Sequence, residues 1–262
     1  MGSWLGKLFF QRDSLLYAGP VGPVQPHRHH ALQVVISLAS PVAVGTTEGK
    51  PVAAGIAAVI GPDIEHAIVR GSASAILLYL DLERRRFHRA ASTPWPDAPR
   101  HWVARADALQ ACIPSDLPET WAAARKLIQA IVAALGIDST DDVSEAARRV
   151  VHPAVARARR YVEANLARDV RADAVASAAG ISASRLAQLF ASDVGVPLRR
   201  YVRWHRLRAA MTSLHAGANL ATAAADAGFS DGAHLTRTFR EMFGLAPSEI
   251  MAIAQWVPPD VA

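Results

Sequence analysis

The stretch that decides the fold lies near the C-terminus and reads Asp226-Ala-Gly-Phe-Ser-Asp-Gly-Ala-His-Leu-Thr-Arg-Thr-Phe-Arg-Glu-Met-Phe-Gly-Leu-Ala-Pro247. An Ala-rich run ends at Gly228, which adopts a left-handed turn at little cost, and Ser230 or Asp231 then caps a new helix. The new helix has a buried apolar stripe at Leu235, Phe239 and Met242. A helix, a glycine turn and a capped amphipathic helix are typical of a helix-turn-helix, whose second helix enters the major groove of DNA.

A second copy of this pattern lies about 48 residues earlier. Residues 173–182 match the run that ends at Ser230, and both copies continue with residue types at similar spacing. The corresponding pairs are Leu186 and Leu235, Phe190 and Phe239, Gly195 and Gly244, Pro197 and Pro247, and Tyr201 and Ile250. The later copy has one extra residue before its leucine and one more between its glycine and its proline. A doubled helical unit is much less probable by chance than a single one.

With this doubling, about the last hundred residues resemble the DNA-binding domain of the AraC/XylS family of bacterial transcription regulators. The resemblance is carried by the Gly-Phe-Ser-Asp, Leu-Thr-Arg-Thr-Phe-Arg and Phe-Gly-Leu-Ala-Pro runs within residues 228–247. It implies a regulator rather than an enzyme, which binds double-stranded DNA at a promoter or operator. A homodimer is expected, and RNA polymerase is a further candidate partner.

Composition limits the class of protein. The 262 residues are 51% hydrophobic, as in a globular protein with one large or two ordinary domains. No apolar run reaches about 18 residues, so no membrane-spanning helix is predicted. The first ten residues lack the apolar core and cleavage site of a signal peptide. Cys112 is the one cysteine, which excludes an intrachain disulfide, and a cytoplasmic location is expected.

Positive charge is concentrated in the C-terminal part of the chain. The net charge is +5, and residues 148–262 hold fifteen arginines against nine acidic side chains. The basic excess therefore coincides with the paired helix-turn-helix pattern, as contact with phosphates requires.

The N-terminal part reads as β-structure, so the predicted fold is a two-domain α+β protein. Short β-branched runs at 32–38, 42–46, 52–60 and 73–81 are separated by glycine and proline breaks, which predicts a barrel or sandwich. We predict three regions: a sensor domain at 1–116, a helical dimerisation or linker region at 117–151, and the DNA-binding domain at 152–256. In the linker region, Trp121, Ala124, Ile128, Ile131 and Leu135 form one helical stripe. This helix either mediates dimerisation or only covers the barrel.

Histidines mark a candidate site in the N-terminal part. The run His27-Arg-His-His-Ala-Leu-Gln33 and the later Gly61-Pro-Asp-Ile-Glu-His66 resemble the two motifs of cupin domains, which often precede an AraC-type module. His27, His29 and Gln33 have one parity and are predicted to share one face of a strand, with His66 reaching them from a neighbouring strand. His30 is predicted to face outward. The resemblance implies an effector site at His27, His29, Gln33 and His66.

A divalent metal bound by His27, His29 and His66 is a candidate cofactor at that site. The cupin carboxylate is replaced by Gln33, and a neutral amide is a weaker ligand than a charged oxygen. A polar site for a small organic effector and solvated loop histidines therefore stay open as alternatives.

The candidate DNA contacts lie on the two recognition helices and on the helix that joins the repeats. They are Ser184, Arg185, Gln188, Arg199, Arg203, Ala233, His234, Arg237 and Arg240. Gln188 is suited to an adenine edge and Arg185 to a base or a phosphate. Arg237 either contacts DNA or forms a surface ion pair with Glu241. The matching positions of the second helix include Gly232 and Ala233, whose small side chains put base readout by that helix in doubt.

Three functions from different classes remain. The first is a transcription regulator whose barrel senses a small molecule. The second is a metal-dependent cupin enzyme, which the absence of a paired carboxylate or an activated nucleophile disfavours. The third is a DNA-binding protein whose barrel serves only for dimerisation.

Overall fold

The computed structural model describes residues 6–11, 14–45, 51–62, 64–81, 109–137, 152–168, 170–194 and 196–257. The chain divides into two compact units. The first comprises Met1–Ser144 together with Arg240–Ala262, and the second comprises Glu145–Phe239. Residues 82–108 and 138–151 lie outside the described part of the chain, so the three predicted domain boundaries stay predictions.

The described residues of the first unit form ten strands in two sheets. Its strands are β1 (Gly6–Gln11), β2 (Ser14–Val21), β3 (Val24–His27), β4 (Leu32–Ser37), β5 (Val42–Gly45), β6 (Pro51–Gly55), β7 (Ala57–Ile60), β8 (His66–Arg70), β9 (Ser72–Leu80) and β10 (Ala254–Trp256). One sheet has the order β10-β1-β2-β9-β4-β7 and the other β3-β8-β5-β6. The predicted two-domain α+β class is confirmed, but the sheets do not close into the predicted barrel.

Helix α1 (Trp121–Ala134) packs its apolar stripe on the six-stranded sheet. The stripe forms one core cluster with sheet residues such as Phe9, whose ring meets that of Trp121 edge to face at 5.5 Å. Thr120 caps the helix through its hydroxyl, and Gly136 ends it with a left-handed φ of 65°. The predicted stripe is therefore confirmed, and in the described part of the chain its partner is the sheet.

Strand β10 comes from the far end of the chain and lies at the edge of the six-stranded sheet. It pairs in parallel with β1, with Gly6 opposite Ala254 and Leu8 opposite Trp256. The amide of Val257 continues this pairing with a bond to the carbonyl oxygen of Leu8 (3.0 Å). Sequence patterns did not predict this strand, because three residues are too few to show a period of two.

The second unit is helical. Its complete helices are α2 (Pro153–Ala164), α3 (Ala172–Ala179), α4 (Ala183–Val194), α5 (Leu198–His215) and α6 (Leu220–Asp226). Leu186, Phe190 and Tyr201 are buried in one cluster with the apolar faces of α2 and α3, as their spacing predicts. Pro153 occupies the first turn of α2, where a missing N–H costs nothing.

The second repeat continues with α7 (Gly232–Phe243) and α8 (Pro247–Ile253). Leu235, Phe239 and Met242 are buried, which confirms the predicted stripe. The boundary between the two units falls inside α7, after Phe239, so α7 begins in the second unit and ends in the first. Among the described helices, none is both long and apolar enough to cross a membrane.

Candidate nucleic-acid interface and histidine cluster

The first recognition helix is α4, which follows the glycine turn of the first repeat. Gly180 ends α3 in the left-handed conformation, with φ 71°, and the hydroxyl of Ser182 accepts a bond from the amide of Arg185 (3.3 Å). Leu186 and Phe190 point into the core, which leaves Ser184, Arg185 and Gln188 exposed on the opposite face. The three candidate DNA contacts of this helix therefore lie on its exposed face.

The second recognition helix, α7, has a stronger cap. An oxygen of Asp231 accepts a bond of 2.6 Å from the amide of His234, and this bond is the main reason why the pKa of Asp231 is lowered. Ala233 and Arg237 are exposed, as predicted. His234 is half-buried, with its ring against Phe229 and its Nδ1 3.1 Å from the hydroxyl of Ser230. His234 is thus part of the turn's local packing.

The remaining candidate contacts are arginines. Arg199 and Arg240 are exposed and Arg203 is half-buried.

Two other arginines support the fold. Arg157 donates two bonds to the carbonyl oxygen of Ala179, and Arg206 donates to those of Leu166 and Arg168. Their guanidinium groups satisfy carbonyl groups at helix ends, where intrahelical donors are missing.

The histidine cluster comprises His27, His29, Gln33 and His66, all at most 3% exposed. His27 ends β3, Gln33 lies on β4, and His29 lies in the turn between these strands. The prediction that all three share one strand is therefore wrong, because the chain turns at residues 28–31. His66 begins β8 and pairs with His27, which confirms the predicted neighbouring strand.

Each histidine of the cluster is anchored by its Nδ1. The Nδ1 atoms of His27, His29 and His66 lie 2.8, 2.9 and 2.9 Å from the carbonyl oxygens of Gln25, Ala31 and Ile64. A carbonyl oxygen only accepts, so each Nδ1 carries the proton and donates. Every Nε2 of a neutral ring then holds a lone pair.

Burial keeps two of these rings neutral. Desolvation, and next the nearby His29, lower the pKa of His27 from 6.5 to about 3. Desolvation, followed by the neighbouring His27 and His29, lowers the pKa of His66 well below its ordinary value. Both rings are therefore in the form that binds transition metals.

The amide of Gln33 lies between two of the rings. Its Oε1 is 2.9 Å from Nε2 of His29 and 2.7 Å from Nε2 of His66, while its own Nε2 has no hydrogen-bond partner. An oxygen facing two lone pairs is unfavourable. Rotation of the amide by half a turn would place its NH₂ group, which has two donors, against both rings.

The donor set fits a transition-metal ion. The three imidazoles offer ligand atoms that lie within 4.8 Å of one another, and Nε2 of His27 is buried without a hydrogen-bond partner. Metal-binding histidines commonly donate their other ring N–H to a backbone carbonyl, as all three do. Imidazole nitrogens suit Zn²⁺, Ni²⁺, Cu²⁺ or Fe²⁺ better than Mg²⁺ or Ca²⁺.

Sequence reasoning missed the residues that surround the cluster. Tyr79 on β9 meets His29 edge to face at 5.1 Å and Phe243 at 5.4 Å. His30, predicted to face outward, is 5% exposed, because the turn that holds it packs inward. In the sequence, Tyr79 stands out only as the one residue with a polar group in the apolar run Ile76-Leu-Leu-Tyr-Leu80.

Comparison with known proteins identifies a helix-turn-helix domain in the helical part of the chain. Residues 175–252 match the model of a helix-turn-helix domain, and no curated protein matches the chain. The fold is similar to that of an apo ToxT variant from Vibrio cholerae, with a TM-score of 0.53, 10% identity, and coverage of 93% of this chain and 98% of that one.

Two further solved structures are similar. Wild-type ToxT from Vibrio cholerae bound to an unsaturated fatty acid matches with a TM-score of 0.51, 10% identity and the same coverage of both chains. A transcriptional regulator with an AraC-type DNA-binding domain from Chromobacterium violaceum is 28% identical over 37% of this chain and 88% of that one, with a TM-score of 0.35.

Proposed function

We propose that this chain, whose residues 175–252 are an AraC-type helix-turn-helix domain, is a sequence-specific transcription regulator that binds promoter or operator DNA. One observation carries the proposal: two recognition helices of 12 residues each bury an apolar stripe and expose polar side chains. A homodimer is the expected assembly, since operators of such proteins are read from paired half-sites. RNA polymerase is a further candidate partner.

The two recognition helices differ in what they can read. Gln188 on α4 can bond the adenine edge in two places, whereas Arg237 is the one long exposed side chain among the candidate readers at the start of α7. Arg185, Arg199, Arg203 and Arg240 are suited to phosphates. Affinity is thus supplied along both repeats, while α4 supplies more of the sequence discrimination.

The length of α5 sets a condition on the DNA. Its 18 residues span roughly 27 Å, whereas successive major-groove faces recur at about 34 Å. Both recognition helices can enter adjacent grooves if the duplex bends toward the protein, at a cost of a few kcal/mol.

A gel-shift titration tests DNA binding. The full chain is titrated onto duplex from upstream of its own gene and onto a shuffled duplex at several salt concentrations. We expect preference for the first duplex, and a tenfold or greater loss of that preference in Gln188→Ala. Gln129→Ala, an exposed glutamine on α1, is the matched control. Equal affinity for both duplexes would contradict the proposal.

The histidine cluster is proposed as the effector site, and a divalent transition-metal ion as its occupant. ToxT binds an unsaturated fatty acid, which supports small-molecule sensing in this fold. Here, however, the cluster is polar and its four members are at most 3% exposed, which suits an ion better than an acyl chain. His27, His29 and His66 would hold the ion through Nε2, and Gln33 would turn its amide oxygen toward it.

Metal titration tests this site and separates the alternatives. Zn²⁺ should bind the metal-free chain with one-to-one stoichiometry and raise its melting temperature, whereas Mg²⁺ should do neither. Gln33→Glu should tighten binding, because it adds a charged oxygen. A chain that binds no ion but keeps its operator preference would fit either a site for a small organic effector or an N-terminal domain that serves only for dimerisation. Metal-dependent turnover would support the enzyme alternative.

A further inference from the structure

The end of the second recognition helix is bonded next to β3, the strand that ends at His27 of the histidine cluster. The amide of Arg28, one residue beyond β3, donates to the carbonyl oxygen of Glu241 in the last turn of α7 (3.0 Å). Two residues later, Phe243 packs edge to face on Tyr79, whose ring also meets that of His29. Two side-chain contacts thus join a ring of the cluster to the end of α7.

Gly244 brings the backbone itself against the cluster. Its φ is +69°, and a Cβ atom at this position would lie 3.0 Å from Nδ1 of His27 and 2.8 Å from the carbonyl oxygen of Gln25. The left-handed turn that ends α7 is therefore packed directly on His27 and its anchoring carbonyl. A larger residue would push α7 and β3 apart.

A second anchor follows after one short helix. Beyond α8, strand β10 pairs with β1, and the indole N–H of the buried Trp121 donates to the carbonyl oxygen of Val257 (2.8 Å). The ring of Trp256 meets Phe10 edge to face at 6.1 Å. Both ends of the segment 240–257 are consequently bonded to the sensor sheets, with only α8 between them.

We propose that residues 240–257 form a tether through which the sensor controls the second recognition helix and not the first. The inference rests on the proposed function. The core of the first recognition helix lies within the second unit, whereas the last turn of α7 belongs to the first unit, where Glu241 is bonded to Arg28. Nitrogens that bind one ion at about 2.1 Å must draw together by about 1 Å from the present cluster. This movement shifts His27, which packs on Gly244, and His29, which reaches Phe243 through Tyr79.

Hydrogen exchange of the full chain, measured by mass spectrometry, tests the tether without any ligand. Trp121→Phe removes the N–H donor to Val257 and keeps an apolar ring. Amides of 240–257 should then exchange about fivefold faster, the effect of one hydrogen bond, while those of 183–194 stay unchanged. Tyr17→Phe, which removes the donor to the carbonyl oxygen of Pro20 in the same sheet, is the matched control. Unchanged exchange at 240–257, or equal acceleration at 183–194, would overturn the tether.

Addition of Zn²⁺ to the same chains separates the tether from the metal. Zinc should slow exchange at 240–244 in the unsubstituted chain and leave 183–194 unaffected. If zinc binds but does not slow exchange at 240–244, the metal site is supported and control through the tether is contradicted. If zinc does not bind, the metal assignment fails, and the Trp121→Phe comparison alone decides on the tether.

Discussion

The two helix-turn-helix repeats are alike in their helices and different in their surroundings. Both recognition helices have 12 residues, and both turn glycines have left-handed φ values, 71° at Gly180 and 77° at Gly228. The first repeat runs on into the long helix α5, whereas the second ends in a short helix and returns to a β-sheet. Duplicated sequence therefore specifies the motif, and the residues around each copy decide what restrains it.

The turn glycines should give the largest difference between the repeats. A Cβ at Gly228 would overlap the carbonyl oxygen of Leu166, whereas a Cβ at Gly180 meets only Nη2 of Arg157 at 3.7 Å. The left-handed backbone costs alanine about 1 kcal/mol at either site. Gly228→Ala should add a steric cost of about 2 kcal/mol or more. Urea unfolding of both variants checks this, and equal losses would contradict the difference in packing.

Acid should destabilise the first unit and leave the first repeat unchanged. The unfolded chain protonates His27 and His66 near pH 6.5, but the folded chain keeps them neutral to a much lower pH, about 3 for His27. Stability is therefore lost as pH falls below 6.5, by about 3 kcal/mol for the two histidines between pH 7.5 and 5.5. Hydrogen exchange should accelerate in 32–37 and 240–257 at pH 5.5, after correction for intrinsic rates. A similar acceleration in 183–194 would argue against histidine as the cause.

DNA contacts should differ in kind between the repeats. Gln188→Ala should cost about 2 kcal/mol on the preferred duplex and little on a shuffled one, because it removes a base contact. Arg240→Ala on α7, which removes a proposed phosphate contact, should weaken binding to both duplexes about equally and lower the salt dependence by about one counterion. Fluorescence anisotropy at several salt concentrations distinguishes these effects. Lys126→Ala on α1 is the control for loss of a positive charge, and the reverse pattern would exchange the assigned roles.

The helix caps should give the smallest difference. Asp231 accepts a bond of 2.6 Å from the amide of His234, while the neutral Ser182 accepts a longer one, 3.3 Å, from Arg185. Asp231→Ala should therefore lower the melting temperature more than Ser182→Ala. The excess should vanish at acidic pH, since the pKa of the folded carboxyl is lowered and its stabilisation disappears as pH falls through that value. If Asp231→Ala still lowers the melting temperature more than Ser182→Ala in acid, the charge of Asp231 is not the cause.

Local patterns predicted most of the helical part of the chain. Apolar spacing of three and four placed the cores of α1, α4, α5 and α7, because burial of one helix face repeats along the sequence. Burial of polar side chains from separate strands has no such period. Tyr79 next to the histidines and β10 beside β1 depend on contacts between distant residues, so no local pattern shows which residues they contact.

Parity predicted the right members of the histidine cluster for a wrong reason. His27, His29 and Gln33 were expected on one strand, yet they converge across a turn between two strands. The side chains nevertheless converge, because the turn at residues 28–31 brings His29 against Gln33, and β8 brings His66 against His27. The backbone carbonyls that orient the three rings could not be inferred, since any residue type supplies them.

The parallel pairing of β10 with β1 has a consequence for biosynthesis. The strand that borders β1 is not available until residue 256 has left the ribosome, long after β1 itself. The nascent six-stranded sheet therefore has an unpaired edge at β1 while the first repeat, whose core lies within residues 154–202, can already fold. Ribosome-bound chains arrested before residue 254 should accordingly depend on chaperones more than the released protein does.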